Sequence, residues 1–68
     1  MALTIIVNGE AIEVAQNATV DDLYKQLDLD AKWVVAERNG EPVSRAETAT
    51  TTLTDGDRIE LVKAVSGG

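Results

Sequence analysis

Two Asn-Gly pairs constrain the fold of this chain more than any other feature, because each pair lies between two short runs with apolar side chains. Both central residues of a type I′ turn need a positive φ, so Asn-Gly is the pair that a two-residue hairpin favours. Apolar residues alternate before Asn8-Gly9, at residues 3–7, and after it, at residues 10–14. The chain is therefore predicted to begin with a β-hairpin, and Asn39-Gly40 predicts a second one.

One amphipathic helix is predicted between the two hairpins. Thr19 is a typical helix N-cap, and Asp22 supplies the negative charge that the first turn of a helix favours. Four apolar residues then follow at the spacing of one helix face, which is expected to pack into the core. These residues are Val20, Leu23, Tyr24 and Leu27.

The second half of the chain predicts three more strands. Residues 33–38 form the third strand, beginning at Trp33, and residues 41–45 return as a short fourth strand. Pro42 has no N–H to donate, so the fourth strand should lie at an edge of the sheet. The threonine-rich residues 46–54 predict a loop with one helical turn, before a turn at Asp55-Gly56 and a final strand. The element order is therefore β-β-α-β-β-β.

Composition excludes several classes of function. The chain has 68 residues, no Cys and no His, and a formal net charge of −6. A domain this small has no room for a large cofactor cavity, and it lacks the usual residues for a disulfide, a zinc site or a neutral-pH general base. The negative charge argues against nucleic-acid binding. The N-terminal apolar run is too short for a signal peptide, and no segment has the ~20 apolar residues of a membrane span, so we expect a cytoplasmic protein.

The sequence ends in Ser66-Gly67-Gly68, directly after the final strand. Glycine has no Cβ, so its backbone can approach another backbone closely. Such a tail can thread a narrow channel and present its carboxylate as a reactive group. Residues 65–68 span at most about 13 Å when extended. We expect a flexible tail at residues 66–68; without the strand before it, the two glycines would indicate only a frayed end.

The final strand has apolar residues on both faces. Ile59 and Leu61 share one face, whereas Val62 and Ala64 fall on the other. Either a bulge near Lys63 shifts the register, or the end of the strand is apolar on both sides. The out-of-phase residues then either pack under a neighbouring loop or form an exposed patch that contacts a partner at the base of the tail.

Four segments, in this order along the chain, resemble the ThiS family, the ubiquitin-like sulfur carrier proteins of thiamine (thiazole) biosynthesis. The sequence departs from the family pattern at Ser44, where a proline usually precedes the arginine, and at Ser66, where glycine is common. The matching segments are Val7-Asn8-Gly9-Glu10, residues 37–41 with Val43 and Arg45 after them, residues 55–62, and Gly67-Gly68.

The resemblance implies an α+β fold of the β-grasp (ubiquitin-like) type. Residues 1–68 would form a single domain, with a mixed sheet of four to five strands and one main helix packed across it. The final strand would lie centrally, beside the first. Composition and periodicity alone predict only a small α+β domain.

The resemblance also implies a function. An E1-like adenylating partner would use ATP to adenylate Gly68, and sulfur from a cysteine-desulfurase-derived persulfide would displace AMP to leave a thiocarboxylate. Thiazole synthase would receive that sulfur. Val65, Ser66 and Gly67 would be recognised as the tail, while Val62 and Ala64 would form the partner face. The chain would then bind no cofactor or metal and would act as a carrier, since its partners perform the chemistry.

Three alternatives remain at this point. The small subunit of molybdopterin synthase shares the fold and the tail, although its members tend to be longer and richer in Phe. A ubiquitin-like modifier would join its terminal glycine to a lysine amine, and Lys25, Lys32 and Lys63 are possible acceptors in a chain of such modifiers. The third alternative is a structural domain that merely ends in glycines.

Overall fold

The N-terminal hairpin forms as the sequence predicts in the computed structural model, which describes residues 1–63. Strand β1 (Ala2–Val7) pairs antiparallel with β2 (Glu10–Ala15) without interruption along both strands. Asn8 and Gly9 have φ values of 49° and 84°, as a type I′ turn requires. The alternating apolar residues of both strands therefore face the same side of the sheet.

Helix α1 (Val20–Gln26) begins at the predicted cap. The hydroxyl of Thr19 accepts a hydrogen bond from the Asp22 N–H at 3.2 Å, and the Asp22 carboxylate accepts one from the Thr19 N–H at 2.9 Å. This capping box satisfies two N–H groups that the start of a helix leaves free. Val20, Leu23 and Tyr24 are buried against the sheet, as predicted.

Within the described residues 1–63, the sheet has five strands in the order β2-β1-β5-β3-β4. Strands β3 (Val34–Arg38) and β4 (Glu41–Val43) form the second hairpin, and β5 (Arg58–Lys63) lies at the centre. β5 runs parallel to β1 and antiparallel to β3. Pro42 lies on β4 at the edge of the sheet, as predicted. The mixed sheet with one α-helix across it confirms the predicted β-grasp fold.

Two predicted boundaries were wrong. Trp33 is not in the third strand but ends a short 3-10 helix (Ala31–Trp33), where its side chain is 52% exposed. The reason is a local cap, since the Asp30 carboxylate accepts a hydrogen bond from the Lys32 N–H at 2.9 Å and starts a tight turn. The fourth strand ends at Val43, because the chain turns into a second 3-10 helix (Arg45–Glu47).

The core contains a residue from the segment that was predicted to be a loop. Leu53 is 2% exposed and packs with Ile5, Val20 and Ile59 in one cluster. Its N–H donates to the Ala18 carbonyl at 2.8 Å, which attaches the threonine-rich segment to the chain just before α1. None of the helices in the described part of the chain is long and apolar enough to cross a membrane.

Candidate functional site: the two ends of the central strand

The predicted site residues lie at and after the end of β5. Val62 belongs to β5 itself. The remaining predicted residues, Ala64, Val65, Ser66, Gly67 and Gly68, lie outside residues 1–63, the part of the chain that the structure describes. The predicted tail at residues 66–68 therefore stays a prediction. The geometry below concerns the strand that leads to it.

The register of β5 decides between the two interpretations of its apolar pattern. β5 pairs with β3 residue by residue, from Arg38↔Ile59 to Val34↔Lys63, with no extra residue on either strand. As far as Lys63, then, no bulge shifts the register against β3. Val62 therefore lies on the face opposite Ile59, which confirms that this end of β5 is apolar on both sides.

Val62 has an apolar neighbour on the outer face of the sheet, the face away from α1. It pairs directly with Val35, and the two side chains are 53% and 45% exposed. Packing under a neighbouring loop would have buried Val62, so that alternative is wrong for this residue. Glu37 and Glu60 form the next pair on the same face, farther from the tail. The outer face thus changes from acidic to apolar toward Lys63.

Asn8 holds the end of β5 that leads to the tail. Its side-chain oxygen accepts a hydrogen bond from the Leu61 N–H at 2.8 Å, and its side-chain nitrogen donates to the Leu61 carbonyl at 3.4 Å. Its own backbone N–H donates to the Ile59 carbonyl at 3.0 Å. The side chain of Asn8 therefore extends the hydrogen bonding between β1 and β5 beyond Val7, where the backbone of β1 ends and the hairpin turn begins.

Asn39 holds the opposite end of β5. Its backbone N–H donates to the Arg58 carbonyl at 2.8 Å, and its side-chain oxygen accepts from the Arg58 N–H at 2.9 Å. Its side-chain nitrogen also donates to the Asp57 carboxylate at 3.0 Å. Asn39 thus joins the second Asn-Gly turn to the turn before β5.

Asp57 is the buried centre of a polar cluster at this end. Its side chain accepts hydrogen bonds from the Arg38 guanidinium and from the Thr54 N–H, both at 2.8 Å, in addition to the one from Asn39. Burial raises the pKa of the Asp57 carboxyl, but the hydrogen bonds from Asn39, Thr54 and Arg38 and the charge of Arg38 outweigh burial, so the pKa lies below its usual value. Asp57 is therefore held as a carboxylate.

Sequence reasoning missed these roles. Asn8 and Asn39 were predicted only as turn residues, and Asp57 only as part of the family-like segment 55–62. The family-like segments 7–10, 37–41 and 55–62 contain all three, which was the one signal that could have connected them. Within residues 1–63, no cluster of acidic side chains is placed to hold a metal ion.

Comparison with known sequences agrees with this architecture. Residues 5–68 match the ThiS family. The chain is 32% identical over 66 residues to "Sulfur carrier protein ThiS" of Escherichia coli (strain K12), which covers 97% of this chain and 100% of that protein. It is 34% identical over 62 residues to the protein of the same name in Bacillus subtilis (strain 168), covering 90% of this chain and 94% of that protein.

A longer protein also contains a related segment. "Thiazole synthase" of Paramagnetospirillum magneticum (strain ATCC 700264 / AMB-1) is 33% identical over 66 residues, which cover 97% of this chain but only 20% of that protein.

Among solved structures, the crystal structure of the thiamine biosynthesis protein ThiS from Geobacter metallireducens superposes with a TM-score of 0.84 at 33% identity, covering 97% of this chain and 100% of that one. A designed protein based on human ubiquitin, at 19% identity and a TM-score of 0.53, shows the likeness in fold alone. With the family match extending over residues 5–68, this chain belongs to the ThiS family.

Proposed function

We propose that this chain is a sulfur carrier of thiamine biosynthesis and that it carries sulfur as a thiocarboxylate on Gly68. The observation that carries the proposal is the family match, because it extends through Gly68 itself. The proteins named as sulfur carriers in Escherichia coli and Bacillus subtilis align with nearly the whole chain. The proposal therefore covers the domain and its tail together.

The proposed chemistry takes place on the tail and in the partner enzymes. A carboxylate is a poor acyl donor, because its oxygen is a poor leaving group. An E1-like enzyme would use ATP to convert the Gly68 carboxylate to an acyl adenylate and release pyrophosphate. Sulfur from a cysteine-desulfurase-derived persulfide would then attack the acyl carbon, AMP would leave, and reductive cleavage of the S–S bond by a thiol would leave the thiocarboxylate.

The domain would contribute a rigid support for the tail. β5 lies between β1 and β3, and Asn8 and Asn39 each hold one of its ends through the backbone of Leu61 and of Arg58. Gly68 is five residues beyond Lys63, so extended chain would carry its carboxylate at most about 18 Å from the sheet. A rigid strand would confine that reach to one side of the domain.

Thiazole synthase is the proposed acceptor of the sulfur. The Paramagnetospirillum magneticum protein of that name includes a segment similar to nearly all of this chain, which supports a direct encounter between the two activities. Val62 and Ala64 would form part of the face of this chain that contacts the partner enzymes. Val65, Ser66 and Gly67 would be the tail that those enzymes recognise. The exposure of Val62 beside Val35 supports this surface.

Intact mass spectrometry tests the proposal. Incubation with the adenylating enzyme, ATP and a sulfur source should raise the mass of the chain by the difference between one sulfur and one oxygen atom. Deletion of Gly68 should abolish that change while leaving the melting temperature unaltered. A Gly68-deleted chain that gained sulfur as efficiently as the wild type would contradict the proposed role, and attachment of Gly68 to lysine amines would identify a protein modifier instead.

A substitution on the outer face tests the proposed contact surface. Val62→Asp would bring a charge into the complex without a partner, so the dissociation constant for the partner enzymes should rise at least tenfold, which is about 1.4 kcal/mol. Because Val62 faces water, the stability of the free domain should hardly change. Ala11→Asp, at an exposed residue of the edge strand β2, is the matched control.

A further inference from the structure

A groove opens beside the end of β5 that leads to the tail. It has a volume of about 770 Å³ and lies between the chain that leaves α1 and the ends of β1, β3 and β5. Its lining is mostly apolar: Leu27, Leu29 and Leu61 are half-buried, and Trp33 is 52% exposed. Leu27 and Leu61 pack against the core, so the floor of the groove is fixed by the fold.

The rim of the groove is acidic. Glu10, Asp28 and Asp30 line it with exposed side chains, and Lys63 is the single cation among the lining residues that the structure describes. None of the three carboxylates is in a salt bridge with another of residues 1–63. Asp30 accepts a hydrogen bond from the Lys32 N–H, so its position is set by the short 3-10 helix. The groove therefore combines an apolar floor with a net negative rim.

We propose that this groove binds a segment of thiazole synthase in which an aliphatic or aromatic side chain is flanked by lysine or arginine. An apolar anchor side chain would be desolvated on the floor, and the flanking cations would meet the carboxylates of the rim. This inference rests on the proposed function, and it adds the face that recognises the acceptor enzyme. The groove opens on the helix side of the sheet, and Val62, which pairs with Val35 on the outer side, lies at its edge.

Distance supports an enzyme that acts on the tail as the occupant. Lys63 lines the groove, and Gly68 is at most about 18 Å farther along extended chain. A standard interface buries about 800 Å² on each partner, which corresponds to a disc with a radius of roughly 16 Å. An enzyme that holds Gly68 in its active site is therefore large enough to reach the groove. Thiazole synthase is named because a protein of that name contains a segment similar to this chain.

The single tryptophan of the chain makes the groove directly observable. Carrier protein labelled with 5-fluorotryptophan gives one ¹⁹F resonance, that of Trp33, and unlabelled thiazole synthase adds none. Binding in the groove should shift or broaden that resonance as the synthase is titrated in. An unchanged resonance under conditions where calorimetry shows complex formation would overturn the proposal.

A charge-neutralising double variant tests the rim. Glu10→Gln with Asp28→Asn keeps side-chain shape, and Asn tolerates the positive φ of 57° at position 28. The dissociation constant for thiazole synthase should rise about tenfold at low salt and by much less at 0.5 M salt, since salt screens such charges. The control is Glu41→Gln with Glu47→Gln, an equal charge change in a different groove, and it should bind like the wild type.

The floor is tested by Trp33→Ala, with binding measured by calorimetry. Trp33 is half-exposed, so the variant should fold, which a melt confirms, and its affinity should drop at least tenfold at both salt concentrations. Wild-type affinity in both the rim and the floor variants would overturn the proposal that the groove binds thiazole synthase.

All of these variants should still gain sulfur from the adenylating enzyme. Absence of sulfur transfer to the wild-type chain would instead refute the proposed function, so the two failures are distinguishable.

Discussion

The two Asn-Gly turns have nearly the same backbone but hold opposite ends of β5 in different surroundings. Asn8 and Asn39 have φ values of 49° and 52°, and each accepts a hydrogen bond from a backbone N–H of β5. Asn39 also donates to Asp57, which is 6% exposed and paired with Arg38. Within residues 1–63, Asn8 forms side-chain hydrogen bonds only with backbone groups of β5, at the end that leads to the tail.

This difference suggests a division between stability and positioning. At the Asn39 end, loss of a side chain would remove hydrogen bonds made by the buried Asp57 carboxylate, which is costly. At the Asn8 end, water can replace the lost hydrogen bonds, so the cost is small and local. We therefore expect substitutions at the start of β5 to affect the whole domain and substitutions at its other end to affect chiefly the strand before the tail.

The largest effect is expected for Asp57→Ala. It removes the acceptor for Arg38, Asn39 and the Thr54 N–H at once, and we expect unfolding free energy to fall by about 2–4 kcal/mol. The Arg38 side chain is 33% exposed, so water moderates the loss. Urea melts at neutral pH measure it. Asp55→Ala, in the same turn, removes a single exposed acceptor, that of the Thr4 N–H at 2.8 Å, and should cost less. Equal losses in the two variants would contradict the comparison.

Acid should lower the stability of the domain by a smaller amount, through protonation of the same Asp57 carboxylate. The pKa of Asp57 is lowered in the folded state, so its contribution is fully present above the ordinary pKa of about 3.9 and is lost as pH falls through the folded value. The wild type should therefore lose stability below about pH 4 more steeply than Asp57→Asn. Urea melts of both proteins across this range test the expectation, and parallel pH profiles would contradict it.

Asn39→Gly should cost about 1–2 kcal/mol, because Gly keeps the positive φ but removes the hydrogen bonds to Arg58 and Asp57. The same melts measure the change. The comparison predicts that combining this substitution with Asp57→Ala costs less than the sum of the two, since both remove one shared hydrogen bond. Strict additivity would show that the two residues act independently.

The smallest effect on stability is expected for Asn8→Gly, about 0.5–1 kcal/mol. Its local effect should be clearer: the Leu61 amide loses its acceptor and should exchange with solvent faster, while the Arg58 amide stays protected. Amide exchange by NMR tests both. Asn8→Asp keeps the acceptor oxygen and should preserve protection at Leu61; fast exchange in that variant too would remove the side-chain hydrogen bond from the explanation.

The sequence by itself predicted the elements of the fold and the family. Turns and amphipathic strands depend on contacts between near neighbours, so Asn8-Gly9, the Thr19 cap and the apolar face of α1 could be recognised from local patterns. Trp33 was misplaced because a local cap at Asp30 competed with an apolar run that looked like a strand. The tail at residues 66–68 was also predicted from sequence, and the experiments on Gly68 test it.

Only the tertiary structure decided what holds β5 and what surrounds its end. Asn8 and Leu61 are 53 residues apart in sequence, and no local pattern of turn or strand around either residue predicts a hydrogen bond to the other. Leu53 is buried although its threonine-rich neighbours predict a loop, because the sheet and α1 enclose it from both sides. The acidic groove likewise joins residues from β1, β2, β3, β5 and the chain after α1. Local patterns encode what each segment forms, whereas contacts between distant segments exist only once the sheet has brought those segments together.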